Sequence, residues 1–596
     1  MNNKITDWLP TTKKEMEFRN WNTPDVILFS GDAYVDHPSF GASVIGRILE
    51  SAGYKVVIVP QPNWQDDLRD FKKFGKPRLF FGVTSGNMDS MMNHYTAQKR
   101  RRSDDAYTPG GKIGFRPDYA TTVYSKIIKE IFPDVPVILG GIEASLRRTT
   151  HYDYWSDSLK PCILSESYAD MLVYGMGEKS ILQIASLLNS GVDIKNITKV
   201  NQTAFLCDQS SWINDEKHII LPSHEDCIKD KRIFSQFFKT IETQSNLICA
   251  SPLLQKIGKK TLIINPHFET QEEKELDEFY SLPFTYLPHP KYSIKEAIPA
   301  YEMIKNSVTI HRGCFGGCSF CTISAHQGKF ISSRSEKSIL EEVEKVSKIQ
   351  GFSGYISDLG GPSANMYRMK GNNKELCYKC SRPSCIFPNI CKNLNTDHRP
   401  LISLYQKARK LTGIKKIFIG SGIRYDIFMQ SSVNENKMYS HNEYFDELVK
   451  HHISGRLKVA PEHSSDNVLK IMRKPSYSLF VRFVNRFNQI SYQSKLKQEV
   501  IPYIISGHPG CALSDMADVA DTTRKAGFKL EQVQDFTPTP MTLASVMFYT
   551  CIDPYTMKPL YVAKKPTEKQ EQLRFLFWYK KENKTLIFNS LKKIRK

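Results

Sequence analysis

Three cysteines, Cys314, Cys318 and Cys321, stand in one short stretch, Arg312-Gly313-Cys314-Phe315-Gly316-Gly317-Cys318-Ser319-Phe320-Cys321. Three thiolates at the spacing CxxxCxxC can hold three irons of a 4Fe–4S cluster, whose cubane normally takes four cysteines. The fourth iron is then open to a ligand from outside the chain, which suits the cluster to chemistry as well as to electron storage. The competing readings are a zinc or structural site, or three reduced core cysteines. Zinc ribbons usually show paired CxxC units, which this triplet lacks.

A second set follows at Cys377-x2-Cys380-x4-Cys385-x5-Cys391. A full four-thiolate set can saturate a second iron–sulfur cluster or a structural zinc, and iron–sulfur is read ahead of zinc. Such a cluster would relay electrons or accept one from a substrate radical; unligated loop cysteines are the alternative. Cys207, Cys227 and Cys249 have no ligand spacing and are read as structural.

The elements that must position the first triplet form a βα rhythm. Six strand candidates are Val308-Thr309-Ile310, Gly354-Tyr355-Ile356-Ser357, Lys416–Ile419, Leu457-Lys458-Val459, Val500–Ile504 and Gln532-Val533-Gln534. The cysteine loop follows the first. Asp358, Gly360 and Gly361 follow the second, and Ser421, Gly422 and Arg424 the third. Glu462 and His463 come after the fourth, Ser506 and His508 after the fifth, Asp535 and Thr537 after the sixth. In parallel β/α barrels the site lies at the C-terminal strand ends, so these loops should converge on one face. A helix fits Ile339, Leu340, Val343 and Val346, with Ser333 and Glu336 at capping-box spacing and Gly351 past its end.

Upstream, Val26–Phe29, Val56–Val59, Leu79–Val83, Val137–Leu139 and Leu172–Tyr174 alternate with helical patterns near Val44–Leu49 and Val123–Ile131. That order predicts a Rossmann-like, doubly wound parallel sheet with glycines at its strand ends. Asp36, His37, Glu143, Arg147, Arg148, His151 and Asp153 are concentrated in its loops. They are read either as a substrate pocket facing the site or as loop caps and ion pairs. The expected organisation is α/β throughout: a lead-in at 1–20, the Rossmann-like domain at 21–195, a connecting α/β region at 196–300, a partial (β/α)6 barrel at 301–550 with a Cys-rich insertion at 371–400, and a C-terminal helix with a basic tail at 551–596. Leu287-Pro288-His289-Pro290 reads as an extended linker.

The 596 residues are 40% hydrophobic and 24% charged, ordinary for a soluble globular protein of two to four domains. No stretch reaches the roughly 18 apolar residues of a membrane span, and the N-terminus lacks an apolar signal core, so a cytoplasmic protein without a membrane partner is expected. The net charge of +20 is spread along the chain, sharpest at Lys99-Arg100-Arg101-Arg102 and the C-terminus. A nucleic-acid partner is an open but not favoured reading, because no RNA-binding motif accompanies the charge.

CxxxCxxC with an aromatic before the last Cys resembles the signature of the radical S-adenosylmethionine (SAM) superfamily. The resemblance implies that Cys314, Cys318 and Cys321 bind a 4Fe–4S cluster, that SAM chelates its open iron, and that Phe320 lies near the adenine. It also implies a low-potential electron donor of flavodoxin or ferredoxin type. A partial (β/α)6 barrel is that superfamily's fold, in agreement with the strand count. Gly360-Gly361 resembles the GGE motif whose backbone oxygens meet the SAM amino group, with Pro362 in place of Glu, so only the backbone role carries over. Arg424 or Glu462 is the candidate for the SAM carboxylate or ribose, since a zwitterion needs both signs nearby. His463 and His508 are the acid/base candidates, with structural histidines as the alternative.

Asp32-Ala33-Tyr34-Val35-Asp36-His37-Pro38-Ser39-Phe40-Gly41 and Gly140-Gly141-Ile142-Glu143-Ala144-Ser145-Leu146-Arg147-Arg148 resemble signatures of the YgiQ-type radical SAM proteins, a likeness running from about residue 7 to about 570. It implies the class and no settled substrate. Some radical SAM enzymes bind cobalamin on a Rossmann-like domain through DxHxxG. Here Asp36 and His37 are adjacent and the spacing from His37 to Gly41 is one longer, so cobalamin is not expected. The expected function is reductive cleavage of SAM to a 5′-deoxyadenosyl radical acting on an unknown substrate. One alternative is an RNA-modifying enzyme similar to methylthiotransferases, on Phe536-Thr537-Pro538-Thr539-Pro540. The other is a non-catalytic iron–sulfur electron carrier or sensor.

Overall fold

The computed structural model describes residues 3–208, 218–292, 296–430 and 438–594. The N-terminal apolar runs become five parallel strands in the order Val56–Pro60, Val26–Ser30, Phe80–Thr84, Val137–Leu139, Met171–Val173. Both faces are covered, which is why these strands read as unbroken apolar runs. Ile27 and Phe29 point into one core and Val26 and Leu28 into the other, the period-two alternation of a strand buried on both sides. The helices Gly41–Ser51, Ala120–Ile131 and Glu178–Asn189 are amphipathic and cover the sheet.

The sheet does not stop where the connecting region was expected to begin. Thr203–Cys207 pairs antiparallel with Met171–Val173, and Lys260–Ile264, Leu253–Ile257 and Ile219–Leu221 continue it to nine strands. The expected linker is also built in. Leu287–Pro288 pairs antiparallel with Val35–Asp36, and the buried His289 ring stacks 5.6 Å from Tyr34. Proline supports such an edge strand, because it lacks only the donor that an edge does not use. The lead-in packs as well: Trp8 and Leu9 are buried, and Pro10 O accepts from Ile58 N at 2.9 Å, while Phe18 stays exposed.

All six barrel strands form. Ser307–Thr309 pairs in parallel with Asp358–Gly360, and Tyr355–Ile356 with Lys416–Ile417. Arg456–Glu462, Glu499–Ser506 and Gln532–Asp535 form a parallel three-stranded sheet in that order. The second strand breaks at Ser357, whose amide turns to Asn306 O, and Leu359 N bridges to Phe418 O at 3.1 Å. The helix after the cysteine loop is Glu336–Ser347, but its cap differs from expectation. Ser335 accepts from Ser338 N, while Ser333 is held in a short strand against His311. The Ser333 hydroxyl, two residues before the helix cap, accepts instead from Arg368 N at 2.8 Å.

One apolar core runs from Ile27 in the first sheet to Val308, Ile417 and Val500 in the barrel, so the two halves are packed together. The C-terminal helix Pro566–Leu576 docks on this body through Gln572, which donates to Cys511 O at 2.7 Å and accepts from Gly507 N at 3.0 Å. Among the described residues no helix is long and apolar enough to cross a membrane.

Candidate active site

The cysteine loop hangs between the first barrel strand and the helix Ile323–Gln327, and its backbone is tied on every side. Cys314 N donates to Gly328 O at 3.1 Å, Ser319 N to Met472 O at 3.1 Å, and Ala544 N to Ser319 O at 2.8 Å. Gly313 and Gly317 have φ of +86° and +62°, the left-handed region that glycine enters at little cost. At Gly316 a side chain would fall 2.6 Å from the Arg424 guanidinium and 3.3 Å from Cys314 Sγ, so the glycine makes room for the cation.

Burial pushes Cys314 up to about 11 and Cys321 to about 12; neighbouring thiols add to this, and Arg424 and Lys474 pull Cys314 back. Three thiols on one loop, in the field of the Arg424 and Lys474 cations, suit an anionic metal–thiolate centre, whose charge those cations would offset. Among the described residues no three His, Cys, Asp or Glu side chains gather closely enough to hold a single metal ion.

Arg424 lies where the sequence placed it, with a different set of partners. Its Nε and Nη2 make a fork on Asp426 at 2.9 and 2.6 Å, and its Nη1 reaches Cys318 Sγ at 3.4 Å. Both ion-pair partners are buried, and the remaining guanidinium donor faces sulfur rather than open space. Glu462 stands opposite, 3.4 Å from Lys474 Nζ, with its carboxyl raised by burial against the pull of Lys474 and Arg424. Its φ of +71° is unusual for a non-glycine residue and falls at a register shift of its strand, a place where strain marks a functional strand end.

Gly360 and Gly361 end the second strand against this loop. A Cβ on Gly361 would meet the His311 ring at 2.5 Å, so only a bare backbone fits. Phe320 lies 6.0 Å from His508, edge to face. His508 is fully buried, with Nε2 at 3.1 Å from Ser319 Oγ and Nδ1 at 2.8 Å from Pro509 O; burial drives its pKa down to about 3. His463 is buried too, accepting from Ser465 N at 3.0 Å, and its pKa falls to about 4. Histidines this buried and this engaged fit a role in holding the loop and strand ends.

Of the N-terminal polar residues, Arg148 lines a pocket with His326, Gln327 and Lys329 just after the cysteine loop, while the others are engaged locally. Asp36 pairs with Arg47, Glu143 accepts from Ser90 and Thr121, and Arg147 pairs with Asp89. Asp153 accepts from Ser156 N at 2.8 Å, and His151 and Arg148 meet the carbonyls of Thr149 and Ser145. They are the caps and ion pairs of the loops. His37 is buried and accepts from Ser39 N at 3.0 Å.

The largest feature of the site lies between the two halves. A cavity of about 590 Å³ opens where the parallel sheet's C-terminal edge faces the first two barrel strands. Gly86, Gly140, Gly141, Gly175 and Gly177 form its floor. Gly360, Gly361, Asp358 and His311 form its other wall. Gln327 also lines it, and accepts from Gly313 N at 3.2 Å at the root of the cysteine loop. His311 is fully buried, and among the described residues neither ring nitrogen has a hydrogen-bond partner. Burial lowers its pKa to about 3, so it presents a neutral imidazole to the cavity. Sequence reasoning missed His311, Gln327 and Lys474; the adjacency of His311 to the first strand and the cysteine loop was the one local signal.

These features define a radical SAM fold, and comparison with known proteins agrees. The Radical SAM N-terminal family matches residues 8–307 and the Radical SAM superfamily matches 308–522, with a domain of unknown function at 531–596. The chain belongs to the radical SAM superfamily and is a radical SAM enzyme, which sets aside the non-catalytic carrier. Within it, the chain belongs with the UPF0313 proteins. It is 55% identical to the UPF0313 protein of Bacteroides thetaiotaomicron, over 99% of this chain and 97% of that one. It is equally identical to the UPF0313 protein of Porphyromonas gingivalis, over 99% and 93%. Among solved structures, the radical SAM methyltransferase TsrM from Kitasatospora setae, with cobalamin and a [4Fe-4S] cluster bound, is similar at 13% identity and a TM-score of 0.48, covering 93% of this chain and 88% of that one.

Proposed function

We propose that Cys314, Cys318 and Cys321 hold a 4Fe–4S cluster and that SAM binds across it, with its reactive carbon turned into the cavity between the sheet edge and the barrel. When bound, cluster and SAM supply a 5′-deoxyadenosyl radical by one-electron reductive cleavage. The observation that carries this reading is the continuity of one cavity. It joins the Gly360–Gly361 backbone, where the resemblance places the SAM amino group, to the root of the cysteine loop at Gln327 and to the glycine floor of the sheet. The chain's own contributions are positional. Arg424 and Lys474 offset the charge of the thiolates, Glu462 faces the amino side of a zwitterion, and the Ser319–His508 contact keeps Phe320 against the loop. His311, neutral and without a hydrogen-bond partner among the described residues, is one polar group available to orient a substrate, beside Asp358, Asn87 and Gln327 in the same lining.

The occupant of the cavity in this reading is the substrate rather than cobalamin. The Asp36-His37 pair departs from the cobalamin pattern and Asp36 is spent on Arg47; His37 accepts from Ser39 N at Nδ1 and keeps a buried Nε2 without a partner among the described residues, but neither residue is part of the cavity lining. A methylthiotransferase-like reading gains no support, since Cys162 and Cys227 lie among apolar core residues and Cys249 is exposed.

The test is reductive SAM cleavage by anaerobically reconstituted protein with dithionite. 5′-Deoxyadenosine is expected from the wild type, and only the no-protein background from Cys318→Ala. Equal yields from the two would sink the reading. Stoichiometric cobalamin carried through anaerobic purification would transfer the cavity to that cofactor.

A further inference from the structure

The second cysteine set is drawn together by the fold of the insertion. Cys377 lies on the short helix Lys374–Tyr378, and the next turn returns Cys380 N to Cys377 O at 3.1 Å. Cys391 N donates to Cys385 O at 2.7 Å. Asn393 Nδ2 donates to Cys377 Sγ at 3.3 Å, a neighbour that fixes a ligand's orientation.

Lys329 comes from the far side of the first cysteine loop and enters this group. It is 1% exposed, and its Nζ lies 4.0 Å from Cys380 Sγ and 2.6 Å from Arg382 O. Among the described residues no carboxylate forms an ion pair with it. A buried ammonium costs several kcal/mol unless a counter-charge is near. Sulfur ligands carrying net negative charge supply one, and a hydrogen bond from a cation to ligand sulfur is a known control on cluster potential.

The insertion is also seated directly on the first site. Cys385 N donates to Phe315 O at 3.0 Å and Ser384 Oγ to Gly316 O at 2.8 Å. Phe315, Met366, Met369, Ile386 and Leu394 close one buried apolar cluster between the two loops. One backbone and one side-chain hydrogen bond thus join the two cysteine loops directly.

We propose that Cys377, Cys380, Cys385 and Cys391 hold a second iron–sulfur cluster, faced by the Lys329 ammonium, and that electrons enter the enzyme through it. A reduced low-potential donor of flavodoxin or ferredoxin type gives up one electron, the second cluster takes it, and the same electron passes to the cluster at Cys314, Cys318 and Cys321. The conduit role rests on the function proposed above; the presence of the second cluster does not.

The closing experiment separates the two. Protein carrying Cys314→Ala, Cys318→Ala and Cys321→Ala, reconstituted anaerobically, is expected to keep about four irons and four sulfides per chain and to give a reduced-cluster electron paramagnetic resonance signal. No iron, or zinc in its place, overturns the proposal. Lys329→Met in that background keeps the ligands and removes the charge, so the midpoint potential should move to more negative values; an unmoved potential overturns the role of Lys329. The converse variant, with Cys377, Cys380, Cys385 and Cys391 all changed to Ser, should lose about half the wild-type iron. It should cleave SAM with dithionite but lose most of its turnover with reduced flavodoxin. Full flavodoxin-driven turnover there overturns the conduit. Failure of SAM cleavage in the wild type, with iron retained in the triple alanine variant, would count against the proposed function alone.

Discussion

Arg424→Ala is expected to destabilise the apoprotein by about 3–5 kcal/mol, because it strands the buried Asp426 carboxylate without its fork. For a barrel of this size that lowers its melting transition by roughly 10 °C, read by calorimetry on metal-free protein. The double variant Arg424→Ala with Asp426→Asn should recover part of the loss, since it removes the stranded charge. Equal melting of the single and double variants would show that the ion pair is not what Arg424 supplies. In reconstituted protein the same substitution also removes the cation 3.4 Å from Cys318 Sγ. The first cluster's potential should then move to more negative values, and SAM cleavage with a mild reductant should fall further than with dithionite.

Gly317→Ala is the second large effect. Its φ of +62° costs an L residue about 1–2 kcal/mol, and the new Cβ would overlap the Pro383 carbonyl and lie 2.9 Å from Ser384 Cβ. The obstacle is mainly backbone, so no rotamer relieves it, and overpacking adds about 1–3 kcal/mol. The expected result is a loss of about 2–5 kcal/mol together with reduced iron loading at both cysteine sets, because the alanine pushes the two loops apart. Gly351→Ala is the control: its φ is +85°, but its Cβ would meet nothing within 4 Å, so it should show the conformational cost alone and full iron content. Iron loading in Gly317→Ala equal to that of the control would mean that the two loops bind independently.

The elements of this chain were legible because they depend on near neighbours. All six barrel strands and the five parallel strands of the first sheet fall within a few residues of their apolar runs. Such runs need only a cover on both faces, whatever supplies it. Local reading failed where a residue has two possible partners and a distant one wins. Ser333 has capping-box spacing to Glu336, yet its hydroxyl accepts from Arg368 N and the cap falls to Ser335. Leu287–Pro290 has a linker's composition, yet Val35–Asp36 offered an edge some 250 residues away in sequence.

The same division holds at the site. By itself, the sequence determined the three-cysteine loop, the glycines that let it turn, and the class of chemistry, because ligand spacing is a short-range property that any fold must respect. Only the tertiary structure decided what surrounds those cysteines. It turned Arg424 toward Cys318 and Asp426, brought Lys474 and Lys329 in as cations, buried His311 with no hydrogen-bond partner among the described residues, and opened a 590 Å³ cavity between two halves of the chain. The contacts that set the charge at the cysteines join residues as far apart as Arg424 and Cys318, 106 positions, or Lys329 and Cys380, 51 positions, and no local pattern encodes such meetings.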